Sequence, residues 1–293
     1  MVAITRRSIR LAVLVALVVL AATGVVVAAE MEGGDADDRL DGTEEADTIR
    51  GVRGADTING LGGDDVLDGG GDDDVIDGGE GADHVYGASC DLGELGRLCD
   101  NTGRDTLTGG PGDDHVYANE CMPDPNCQEA TNISLGTTMS GGPGTDVMLG
   151  AHGRDVIRGE RGNDTAAGYL GRDLLRGGGG DDALDGGGGN DRAYGKAGTD
   201  RISGGGGRDL LGGGKGYDSV AGGAGNDRLY GGAGEDRLSG GPGADRIFAR
   251  GSQRDRVICG KGRDRAKVDR LDRVSGCERV VRLKPLKRPR RRR

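Results

Sequence analysis

One aliphatic side chain recurs every nine residues along most of the chain, with polar or small residues on either side of it. From Gly33 the sequence reads GGDADDRLD, GTEEADTIR, GVRGADTIN, GLGGDDVLD, GGGDDDVID and GGEGADHVY, through Tyr86. GGPGDDHVY follows at 109–117, and twelve further nonapeptides run without a gap from Gly141 to Phe248. The hydrophobic position is the eighth: Leu40, Ile49, Ile58, Leu67, Ile76 and Val85, later Ile157, Leu175, Leu184, Ile202, Leu211, Val220, Leu229, Leu238 and Ile247. Ala166 and Ala193 are weak points in the series. Period-two alternation over positions seven to nine predicts a short strand with only position eight facing inward. Positions one to six, rich in Gly, predict a turn, with glycines one, two and four free to take positive φ. Pro111, Pro143 and Pro242 all fall at position three, inside the turn, where no strand hydrogen bond is lost.

The sixth position is invariant. It is Asp38, Asp47, Asp56, Asp65, Asp74 and Asp83 in the first block and Asp114 in the isolated repeat. In the long run it is Asp146, Asp155, Asp164, Asp173, Asp182, Asp191, Asp200, Asp209, Asp218, Asp227, Asp236 and Asp245. The sixth residue thus supplies one carboxylate per turn, and the glycines let carbonyl oxygens point inward without a Cβ in the way.

Composition supports a thin repeat solenoid. Of 293 residues 63 are Gly, with no Trp, one Phe and six Tyr, too few aromatics to fill a conventional core. Seven Pro exclude collagen. The net charge of −10 is unevenly spread: about +3 over 1–29, −26 over 30–248 and +13 over 249–293. An acidic body of that size repels itself unless cations neutralise it. The charge disfavours nucleic acid along the body and leaves anionic partners only at the basic end.

The nonapeptide resembles the repeat of the hemolysin-type, or repeats-in-toxin (RTX), calcium-binding family, G-G-x-G-x-D-x-U-x with U a large aliphatic residue. The resemblance implies an all-β, right-handed parallel β-roll with two nonapeptides per 18-residue coil. It also implies Ca²⁺, roughly ten ions, held between stacked turns of repeats n and n+2, with the position-six Asp residues as side-chain ligands and turn carbonyls as further donors. Asp191 and Asp209 would then share a site on one side, and Asp200 and Asp218 on the other. One aliphatic residue in nine cannot offset the entropy of ordering so many glycines, so the chain is expected to fold only with calcium.

Outside the repeats the chain divides further. Residues 1–29 carry Arg6, Arg7 and Arg10 and then the uncharged run Leu11–Ala29, read as an export signal cleaved after Ala29 or as an uncleaved anchor. Residues 30–86 form the first repeat block, and 87–140 hold interrupted repeats with two Cys-containing inserts. Residues 141–248 are the main roll, 249–282 degenerate repeats forming a cap, and 283–293 a basic tail. The six Cys fall into local pairs, Cys90–Cys99, Cys121–Cys127 and Cys259–Cys277, expected as disulfides in an exported chain. No HExxH or GxSxG occurs. His84 and His115 sit at position seven of their repeats, expected to face solvent, and His152 lies in a turn. The expectation is a secreted, non-enzymatic calcium-binding module. The alternative is an adhesin-like protein gripping an anionic cell-wall or surface polymer through the 118–140 insert or the basic tail.

Overall fold

The computed structural model describes residues 28–88, 90–91, 98–99, 104–118, 136–251 and 253–283. Among these residues every regular element is a β-strand, and the strands form a parallel β-solenoid of about twelve turns. Successive strands alternate between two parallel sheets. The first sheet runs from Glu30–Glu32 to Arg273–Ser275, and the second, of 13 strands, from Arg39–Asp41 to Arg279–Arg282. Through the regular run the register advances by 18 residues per coil, as in Ala193↔Leu211 and Leu211↔Leu229, so two nonapeptides make one coil.

The alternation of side chains explains this architecture. Position eight of both sheets points into one shared core, a stack of fully buried residues such as Ile58, Leu67, Leu175, Leu211 and Leu229. Each such side chain contributes about 1.5–3 kcal/mol by burial. Ala166 lies between Met148 and Leu184, and Ala193 between Leu175 and Leu211; both are buried. The core also takes in Met31, Leu107, Met139, Val257, Cys259 and Ala266 from outside the regular nonapeptides.

The turns correct one expectation. Positions two and four do take positive φ, as in Gly205 (φ 90°) and Gly207 (φ 132°), but position one does not. Glycine stands there because there is no room for a side chain. A Cβ on Gly204 would lie 2.5 Å from both the Asp209 Oδ2 and the Gly222 carbonyl oxygen. His152 departs from the turn reading, because His152–Gly153 forms a two-residue strand paired with Leu170–Gly171.

Both interruptions leave the roll from equivalent points of successive coils, after Tyr86 and after Tyr117. The strand pairing passes over them unbroken: Leu107 pairs with Ile76 and Met139 with Leu107. In the first insert the backbone sets Cys90 opposite Cys99 in a short antiparallel pair. The expected Cys121–Cys127 pair, residues 1–27 and the tail from 284 lie outside the described residues. Beyond Phe248 the solenoid continues through strands Arg256–Lys261, Arg265–Val268, Arg273–Ser275 and Arg279–Arg282. A disulfide joins Cys259 to Cys277 there, with Cα atoms 5.1 Å apart.

Candidate metal-binding columns

The 18-residue register stacks the position-six carboxylates into two columns, one at each side of the roll. The first contains Asp38, Asp56 and Asp74 and later Asp155, Asp173, Asp191, Asp209, Asp227 and Asp245. The second contains Asp47, Asp65, Asp83, Asp114, Asp146, Asp164, Asp182, Asp200, Asp218 and Asp236. Within a column the backbone N–H of one Asp donates to Oδ1 of the next. Asp191 donates to Asp209 at 2.9 Å, and Asp200 to Asp218 at 3.0 Å. The pairs expected to share sites are therefore direct neighbours. From Asp47 onward these side chains are at most 2% exposed.

The second oxygen, Oδ2, decides what the columns can do. In most repeats it is buried and accepts no hydrogen bond. An unpartnered buried carboxylate oxygen is costly, and its charge more so. The oxygen sits in a cradle that a Cβ at position one would fill, beside the position-one carbonyl of the next coil, as at Gly204, Asp209 and Gly222. Burial, reinforced by neighbouring carboxylates, pushes these acids upward: Asp74 to about 8, Asp146, Asp173 and Asp182 to about 7, and Asp200, Asp209, Asp227, Asp236 and Asp245 to about 6. Protein cations do not relieve this charge. The ion pairs among the described residues are Arg39–Asp41, Arg50–Asp68 and Arg53–Asp35, none involving a column Asp.

The donor set fits a hard cation. It offers carboxylate and carbonyl oxygens without nitrogen or sulfur, the chemistry Ca²⁺ prefers. Among the described residues no three His, Cys, Asp or Glu side chains converge on one point. Backbone carbonyls therefore have to supply much of any coordination shell, which is what a stack of side-chain-free turns presents.

Comparison with known proteins agrees with this chemistry. The model of the RTX calcium-binding nonapeptide repeat matches residues 32–67, 50–85, 100–120, 137–166, 159–193, 185–220, 213–247 and 221–256, well over half of the chain. The chain belongs to the RTX calcium-binding repeat family. A solved structure with a similar fold is that of a hyperactive, Ca²⁺-dependent, β-helical antifreeze protein from an Antarctic bacterium. It is 20% identical, with a TM-score of 0.50, over 80% of this chain and 84% of that one. No curated protein matches.

The RTX columns extend beyond the nineteen regular repeats. Asp105 accepts from the Asp74 N–H, Asp255 from Asp236, Asp264 from Asp245 and Asp272 from Asp255. Their sequence signal was an Asp-x-apolar step with some or all of the turn glycines missing: Gly103 alone precedes Asp105-Thr106-Leu107, Gly251 alone precedes Asp255-Arg256-Val257, Gly260 and Gly262 precede Asp264-Arg265-Ala266, and none precedes Asp272-Arg273-Val274. Between Asp105 and Asp155 the first column holds Thr137, whose N–H donates to the Asp155 Oδ1 at 2.7 Å. Thr137 is an uncharged rank inside that column, as Ala29 is at the head of the other, where its N–H donates to the Asp47 Oδ1.

The carboxylates are not all alike. Asp38 Oδ2 accepts from the Gly34 N–H at 2.8 Å, Asp47 Oδ2 from Thr43 at 2.5 Å and Asp155 Oδ2 from Ala151 at 3.0 Å. In each case the donor is position two of the same repeat. Wherever position two instead takes positive φ, the Oδ2 of that repeat has no partner. In several of these repeats, as at Gly70, Gly79 and Gly110, the position-two N–H bonds a position-one carbonyl of the following coil. The orientation of one peptide thus sets whether a carboxylate is satisfied by its own turn or left without a partner.

Proposed function

We propose that this protein is an exported, non-enzymatic β-roll that folds when Ca²⁺ occupies its two Asp columns. The observation that carries the reading is the succession of buried, unpartnered Oδ2 atoms at position six. Without a cation these carboxylates must either desolvate their charge or take up protons. Calcium supplies the neutralising charge when bound. The rest belongs to the chain: the position-one glycines keep the cradle open, the Oδ1 ladder fixes each carboxylate's direction, and position eight closes the core once the turns stack. The ligands are the position-six Asp residues whose Oδ2 has no partner, which leaves out Asp38, Asp47 and Asp155, with Asp105, Asp255 and Asp264 added on the same geometry. Binding free energy then becomes folding free energy.

Export is supported by the apolar run Leu11–Ala29 and by the chemistry of the fold. A roll that needs calcium stays unfolded where calcium is scarce and orders where it is abundant. Residues 249–282 act as the closing end of the roll, held by Cys259–Cys277. The antifreeze property of the structural neighbour is not carried over, since a likeness at 20% identity speaks for the fold alone.

The test is a calcium titration of the chain from residue 30 onward, followed by far-UV circular dichroism with magnesium as control. A cooperative gain of β signal with calcium alone is expected. At pH 8, a spectrum already ordered in chelator, or unchanged at millimolar calcium, overturns the reading.

A further inference from the structure

The outward positions of the last coils carry arginines in registered ranks. On the second sheet Arg228 pairs with Arg246, Arg246 with Arg265 and Arg265 with Arg279. On the first sheet Arg237 pairs with Arg256 and Arg256 with Arg273. All but the half-buried Arg228 are exposed. Like charges directly opposite one another on neighbouring strands are unfavourable, and here they repeat at about 4.8 Å from coil to coil.

Position nine, the other outward position, carries no carboxylate in these coils. It is Tyr230, Phe248, Lys267 and Val281 on the second sheet, and Ser239, Ile258 and Ser275 on the first. Among the described residues no ion pair involves any of these arginines. The early coils of the same second sheet differ: Arg39 at position seven is ion-paired with Asp41 at position nine of its own strand, Thr57, Val75, Thr106 and Thr138 hold position seven after it, and Asn59 and Asp77 hold position nine. The arginine column also has a defined flank. The Tyr230 and Phe248 rings stack 4.6 Å apart and nearly parallel, and Lys267 Nζ lies 5.5 Å from the Phe248 ring centre. The result is a basic rail along the roll axis, with an aromatic edge and, among the described residues, no carboxylate at the outward strand positions beside it.

We propose that this rail docks a linear polysaccharide bearing a carboxylate on each sugar, laid along the axis of the C-terminal coils. Guanidinium groups take carboxylates through paired hydrogen bonds. A chain with one carboxylate per sugar presents its charges in a line, as the registered arginines present theirs. The aromatic edge receives the apolar faces of the sugars. The rail exists only when the coils are stacked, so the proposal rests on the calcium-folded reading and makes docking calcium-dependent.

The test uses the calcium-loaded chain and a fluorescently labelled oligogalacturonate too short to gel with calcium, with binding read by anisotropy and folding read separately by circular dichroism. Saturable, salt-sensitive binding is expected. The combined Arg228→Gln, Arg246→Gln, Arg265→Gln and Arg279→Gln variant should weaken it more than tenfold, and deletion of 284–293 should weaken it less than threefold. If the combined variant loses its calcium-induced β signal, Arg246→Gln and Arg265→Gln singly should each weaken binding severalfold with the β signal intact. Binding lost with the tail but kept without the rail overturns the proposal. So does equal binding of a neutral dextran oligomer, tighter binding of a single-stranded oligonucleotide of equal charge, or no binding by protein whose circular dichroism shows it folded. A chain that never gains β signal with calcium fails the folding reading instead.

Discussion

The first coils and the run from Gly177 to Phe248 are written in the same nonapeptide, yet their carboxylates end differently. In the long run every position two takes positive φ and every position-six Oδ2 is buried without a partner. At Asp38 and Asp47, and again at Asp155 just after the second insert, the position-two N–H folds back onto the carboxylate. The first arrangement stores a demand for a cation, and the second has met its demand from its own backbone. The ion pairs of the described residues also all lie between residues 35 and 68. The first coil is therefore locally satisfied, whereas from Asp56 to Asp83 and through the long run the Oδ2 atoms have no partner.

The largest effect expected from this contrast comes from removing ligands on each side of it. Asp209→Ala with Asp218→Ala should raise the calcium midpoint of folding at least tenfold and broaden the transition. Asp38→Ala with Asp47→Ala should move the midpoint less than twofold. Equal shifts for the two pairs, in the same circular dichroism titration, would show that the paired carboxylates bind as well as the unpaired ones.

Acidity should act in opposite directions with and without metal. Burial raises the folded-state acids of the long run to about 6 to 7, above the 3.8 of an unfolded Asp. The metal-free roll therefore binds more protons than the unfolded chain. Its stability is present near pH 4 and is lost as the pH rises through 6 to 7. Calcium needs the same carboxylates ionised, so its apparent affinity should fall as the pH drops through that window. Chelator-treated protein should gain β signal between pH 8 and pH 4.5, while the calcium midpoint rises severalfold from pH 8 to pH 6. A metal-free chain equally unordered at both pH values would contradict the assigned burial.

A smaller effect is expected at the turn itself. Gly205 has φ 90° and faces the Gly187 carbonyl, so Gly205→Val should cost about 1–2 kcal/mol in backbone strain beyond any clash. It should also turn the position-two peptide back toward Asp209 and remove one calcium from the count given by isothermal titration. The smallest change is the reverse one. Ala151→Gly, which frees the peptide that now bonds Asp155, should add at most one calcium ion and shift the folding midpoint less than twofold.

Much of this was legible in the sequence. The nine-residue beat and a single aliphatic position determine both strands of a coil, because period-two alternation leaves one way to face the core. The invariant Asp determines the columns once two repeats close a coil. The role of the first glycine was not legible, since it answers to the carbonyl and carboxylate packed against it, as at Gly204, and not to φ. Nor was the division between satisfied and unsatisfied carboxylates. Gly34 could take positive φ and does not, whereas Val52, Leu61, Glu160 and Lys196 take it despite their side chains. Stacking of neighbouring coils overrides local preference there. The arginine rail was visible only as a sum of charges. Arg228, Arg246, Arg265 and Arg279 are 18, 19 and 14 residues apart, and the register was needed to place them in one line.

The most direct test of the central claim is a crystal structure of the calcium-loaded chain with an anomalous difference map. Peaks are expected beside the Oδ2 atoms of both columns through the long run, within about 2.3–2.6 Å of carboxylate and carbonyl oxygens, and none at Asp38, Asp47 or Asp155. Columns without peaks, or calcium confined to surface carboxylates outside position six, would contradict it.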